Sequence, residues 1–85
     1  MVTKPTINLN GTTARELLEQ QVMAIEAMRY AISRLQTAAP HARDYQTAPV
    51  GAFTSAMDEH RNRVKRLTGV MRELGEIAQH ISDQC

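Results

Sequence analysis

One run of residues restricts the possible folds more than any other. Val50, Phe53, Met57, His60, Val64, Leu67, Met71, Leu74, Ala78, Ile81 and Cys85 follow one another at alternating intervals of three and four. A straight α-helix drifts against a strict seven-residue repeat, so a repeat kept this long fits a helix lying lengthwise on another in left-handed, coiled-coil-like packing. Val70 and Ile77 widen the stripe beyond a two-stranded seam, which predicts packing against more than one neighbour. Gly51, Gly69 and Gly75 each cost a helix about 1 kcal/mol relative to Ala, and Gly69 and Gly75 are where a break is expected. Gly75 lies beside the seam, where a close helix approach would use it.

An earlier segment supplies the partner. Thr13 followed by Glu16 has the spacing of a capping box, in which the Thr hydroxyl and the Glu carboxylate satisfy each other's backbone amides at a helix start. From there Leu18, Ile25, Ile32 and Ala39 recur every seven residues, joined by Met28 and Leu35, with Leu17, Ala24, Ala31 and Ala38 along one flank. The alanine flank predicts close approach of a second helix. Pro40 disfavours helical geometry at Ala39, so the helix should end near Ala38. Pro49 suits the first position of the next helix, where its missing N–H costs nothing.

These signals predict an all-α fold: a long antiparallel helical hairpin with a coiled-coil-like seam. Residues 1–12 form an extended N-terminal arm and 13–85 one hairpin domain, with helices over 14–38 and 50–82 and a loop over 39–49. Helices of that length are ~40 and ~50 Å long, and two such rods enclose no interior. A chain of 85 residues buries a small fraction of its surface. Assembly as a symmetric homo-oligomer, a helical bundle, is therefore expected, with Met23, Tyr30, Leu67, Val70, Leu74 and Ile77 as interface candidates. Met23, Ala27 and Tyr30 form a second patch opposite Ile25.

Composition narrows the function. With one Phe, two Tyr and no Trp, the apolar content is Ala, Leu, Ile, Val and Met, which suits helices better than sheets. Ten basic against nine acidic residues leave a net charge of +1, well short of the balance of a dedicated duplex-binding protein. The single cysteine, Cys85, allows no intramolecular disulfide and no Cys-based metal site. There is no signal-like segment and no apolar run of ~20 residues, so a cytoplasmic protein is expected. No Walker loop, Gly-x-Ser-x-Gly or His-Glu-x-x-His occurs, and His41, His60 and His80 are too scattered for a metal triad. Neither an enzyme, a metal nor a cofactor is expected. His80, near a helix end, reads as exposed.

Two stretches rise above that background. Arg61, Arg63, Lys65, Arg66 and Arg72 contain no acid between Glu59 and Glu73. They form either a solvated face paired with Asp58, Glu59 and Glu26, or an anion site in which His60, Arg61 and Arg63 present donors to phosphate. The loop holds His41, Arg43, Asp44 and Tyr45, a set able to stack on a base, bind phosphate and accept from ribose; the alternative is a polar loop whose Tyr45 covers the hairpin end. In an antiparallel hairpin Arg29 should fall near the level of His60 to Arg63.

Asn10-Gly11-Thr12-Thr13 leading into Leu17-Leu18-Glu19-Gln20, with Ala38-Ala39-Pro40 and Arg43-Asp44-Tyr45, resembles small helical proteins of tailed bacteriophages and prophages. In size and architecture the chain is similar to their anti-defence cyclic-nucleotide sponges, short helical hairpins assembled into symmetric oligomers. That resemblance implies a phage-type protein in a bacterial host cell that sequesters a small anionic nucleotide signal; no residue role is carried over from it. The ligand-binding candidates read from the residues are Arg29, His41, Arg43, Asp44, Tyr45, His60, Arg61 and Arg63. The alternative is a protein-binding inhibitor or virion-assembly module acting on a host protein through its helix faces.

Overall fold

The computed structural model describes residues 2–8 and 11–84. Asn10, in the expected arm, and Cys85, the last expected seam position, lie outside them. Two helices, α1 (Ala14–Thr37) and α2 (Ala52–Ser82), form a hairpin whose connection contains a short 3-10 helix, Ala42–Tyr45. No strand occurs among the described residues. The molecule is a rod of 62 × 22 × 17 Å with a radius of gyration of 18.5 Å, whereas a compact chain of this length would have ~12 Å.

Helix α1 begins where the cap predicts: the Thr13 side chain accepts from the backbone N–H of Glu16 at 3.2 Å. It ends at Thr37, one residue short of the expected boundary, and the Ala38 amide donates back to the carbonyls of Arg34 and Leu35. The start of α2 differs more. Pro49 is not its first residue. Its carbonyl instead accepts from the Ala52 amide, closing a turn, and Gly51 caps the helix at φ 88°. That left-handed backbone is open to glycine and strained for other residues. Val50, expected in the seam, is consequently fully exposed, and the seam starts at Phe53. From there α2 runs without a break through Gly69 and Gly75. A Cβ at either glycine would meet no atom within 4 Å, so neither is needed for close helix approach.

The seam of α1 is longer than its apolar residues suggest. Its half-buried positions are Ala14, Leu18, Gln21, Ile25, Met28, Ile32 and Leu35, again at intervals of four and three, plus Leu17. Gln21 fills the place that interrupts the apolar reading, and its side-chain carbonyl oxygen is buried without a hydrogen-bond partner. By contrast Ala24, Ala31 and Ala38 are exposed. Helix α2 does not approach that flank; it packs on the stripe beside it.

Burial is shallow throughout, as two rods in line contact dictate. Among the described residues only Ile81, at 0% exposure, and His60, at 7%, are buried. Ile81 lies at the open end of the hairpin, beside the residue to which the N-terminal arm is tied. The His80 ring, half-buried rather than exposed as expected, hydrogen-bonds through Nε2 to the Pro5 carbonyl at 3.0 Å. This contact joins residues 75 positions apart and folds the arm back over the helix ends.

Two outcomes in urea denaturation follow. Gly69→Ala should stabilise the protein by about 0.5–1 kcal/mol through helix propensity, while Gly51→Ala should destabilise it by about 1–2 kcal/mol because its φ is positive. Equal effects at the two sites would contradict the described cap. Separately, Gln21→Leu should raise the unfolding midpoint, worth about 1 kcal/mol, because it removes an unpaired buried carbonyl; a lower midpoint would show that the amide is satisfied in solution.

Candidate functional site

The seam divides the hairpin into two flanks of unlike chemistry. In an antiparallel helix pair, residues that follow seam positions on the two helices share one side, and residues that precede them share the other. Arg29, Thr68, Arg72 and Gln79 follow Met28, Leu67, Met71 and Ala78, and all four line one groove between α1 and α2. The groove has a volume of about 550 Å³ and is open to solvent, within the ~300–1,000 Å³ typical of small-molecule sites. Its floor is Leu18, Ile25, Met71, Gly75 and Ala78. Gly75 keeps the wall low, since no side chain rises there.

This flank carries both signs, Glu19 and Glu26 with Arg29 on α1, and the groove lining itself holds only cations among its charged residues. Arg29 and Arg72 come from different helices and line the same cavity. Among the described residues the ion pairs are Arg61–Asp58 at 3.6 Å and Arg63–Glu59 at 3.9 Å, so neither groove arginine is neutralised by a carboxylate within that range. Two guanidinium groups beside an apolar floor favour a ligand with anionic and flat apolar parts, because each fork can take a bidentate oxyanion.

The expected site residues separate in the structure. Arg29 lies at the level of Thr68 and Arg72 rather than His60 to Arg63, because the register sets Leu18 near Ala78 and Ile25 near Met71. His60 is in the seam and withdrawn from solvent. Arg61 follows His60 and Arg63 precedes Val64, so they fall on opposite flanks and cannot grip one anion within a chain. Both are exposed, each paired with an acid one turn earlier on α2; Asp58 and Glu59 are the counter-ions of the solvated-face reading, and such surface pairs contribute little.

At the bend, Tyr45 packs on Phe53 with ring centroids 5.9 Å apart and an interplanar angle of 53°. Its ring covers the hairpin end, the second of the two readings of that loop. His41, Arg43 and Asp44 are exposed around it, some 15 residues or more along α2 from the groove at ~1.5 Å each. Of the expected ligand set, only Arg29 lines the groove. Arg72, Thr68 and Gln79 also line the groove and were not among the candidates, although their common offset of one from seam residues is visible in the α2 repeat.

Among the interface candidates, Leu67 and Leu74 are half-buried in the intrachain seam, Met23 and Tyr30 are each 68% exposed on α1, and Val70 is 41% exposed. Among the described residues no cluster of His, Cys, Asp and Glu is placed to hold a metal ion, and no helix is long and apolar enough to cross a membrane. No family model, curated protein or solved structure matches the chain.

The arm contact yields a further expectation. His80→Ala removes the tie to Pro5, so thermolysin should cut the Thr6–Ile7 bond faster while the helical signal is retained. Unchanged cleavage would mean that the apolar contacts of the arm hold it without the hydrogen bond.

Proposed function

We propose that this chain is a non-enzymatic binding protein that sequesters a small phosphate-bearing ligand of the nucleotide class in the groove between its helices. The observation that carries the reading is the convergence of Arg29 and Arg72 over an apolar floor, with no acid paired to either among the described residues. The arginines take phosphate oxygens, Thr68 and Gln79 supply neutral hydrogen-bonding groups, and a base lies on Ile25, Met71 and the open surface at Gly75. A groove made by two helices of one chain is shallow, which suits capture and release better than chemistry. In the phage-type setting that the resemblance implies, the ligand would be a cyclic nucleotide immune signal, held by a homo-oligomer.

A panel of cyclic dinucleotides and ADP-ribose derivatives, with inorganic phosphate as the simplest anion, tests this by thermal unfolding and calorimetry at low salt. A bound ligand at a hundredfold excess over Kd should stabilise the fold by about 2.7 kcal/mol, and added salt should weaken the effect. Arg29→Ala or Arg72→Ala should remove the shift, and Gly75→Leu should block the groove. Arg63→Ala and Tyr45→Ala should leave it in place, since both residues lie away from the groove. Absence of any shift across the panel sinks the reading. The alternative, a protein-binding module, is favoured by the exposure of Met23 and Tyr30 on one helix; it stands if a host protein binds the wild type and is lost with Met23→Asp and Tyr30→Asp.

A further inference from the structure

The flank opposite the groove carries Arg34 on α1 and Glu59, Arg63, Arg66 and Glu73 on α2, and between and beyond these charges it is apolar. On α1, the residues that precede seam positions are Leu17, Gln20, Ala24, Ala27, Ala31 and Arg34, whereas those that follow include Arg15, Glu19, Glu26 and Arg29. On α2, Val70 and Ile77 precede Met71 and Ala78 and share the flank of the alanines. Val70 is 41% exposed and Ala24, Ala27 and Ala31 are exposed, so an apolar strip lies over the Leu17 to Ala31 part of α1 and the Val70 to Ile77 part of α2, edged by Arg66 and Glu73.

We propose that a second copy of the chain covers this strip, making a face-to-face pair of hairpins with a twofold axis parallel to the rod. Area argues for the second copy. The chain exposes 6576 Å², whereas a compact monomer of 9.5 kDa exposes ~5,000 Å². The excess of ~1,500 Å² comfortably covers the ~800 Å² that each partner loses in a standard interface. Shape argues for the same occupant. With that axis, α1 of one copy lies antiparallel to α2 of the other at the level used within the chain. Val70 then reaches the level of Ala24 and Ala27, where small side chains admit a close helix, and Ile77 reaches that of Leu17. Both basic grooves remain outside the pair, so the inference does not rest on the nucleotide reading.

Sedimentation velocity at micromolar concentration, with circular dichroism as the folding control, tests the assignment. Wild type should sediment at twice the 9.5 kDa chain mass. Val70→Glu and Ala31→Glu should weaken association by roughly tenfold or more, a difference large enough to read as a shift toward monomer, with helicity kept. Ala31 is an exposed helical position where Glu is well tolerated, so that variant keeps the test valid should Val70→Glu unfold. Val22→Glu, on the groove flank, should behave as wild type. A wild-type monomer, a dimer indifferent to both substitutions, or dissociation by Val22→Glu alone would overturn the proposal. A failed nucleotide panel with this sedimentation pattern intact would remove the groove reading and leave the pairing standing.

Discussion

Everything in this molecule depends on one line of contact, the meeting of two heptad seams in antiparallel register. Hydrophobic stabilisation scales with apolar area removed from water, and two cylinders in contact remove it only along their shared edge. Ile81 is the only fully buried apolar residue among those described, and the other seam residues keep part of their surface. The fold is therefore all flank, and what the protein can do is decided by what the two flanks carry.

Those flanks diverge because a seam residue has one neighbour on each side, and the two neighbours can be chosen independently. Arg72 after Met71 and Val70 before it are two residues apart yet face opposite ways. The same holds for Arg29 after Met28 and Ala27 before it. A basic groove and an apolar strip can thus coexist on two helices without competing for residues. The arrangement also accounts for the failure of the Arg61 and Arg63 pair as an anion site, since residues two apart on a helix diverge by more than half a turn.

The hairpin was legible in the sequence because periodicity, the Thr13 cap and the proline-bracketed loop all follow from local chemistry. Misreadings fell where local chemistry was ambiguous. Gln21 hid a seam position because amphipathic patterns are read from apolar residues, although the spacing from Leu18 to Ile25 requires an occupant there. The alanine flank looked like an intrachain contact because small residues permit close packing without specifying which helix comes near. Pro49 met the rule for a first helical residue, but Gly51 supplied a left-handed cap two residues later. The site was less legible than the fold. Arg29 and Arg72 are far apart in sequence, and only the antiparallel register, which depends on loop length, brings them to one level.

The contacts at the two ends of the seam give the rod one register rather than several. A heptad seam of Ile, Leu and Met alone tolerates slippage by a repeat, because each shifted pairing buries similar area. Gln21 does not break that degeneracy, because its buried side-chain oxygen finds no partner in this register; contacts at the two ends do. Tyr45 on Phe53 fixes the bend, and the Pro5 carbonyl on His80 fixes the open end. Both ends are thereby closed by the chain itself, by an aromatic pair at one and a strap at the other. Surface left for partners lies along the two flanks between them, which is where the arginine groove and the apolar strip are found.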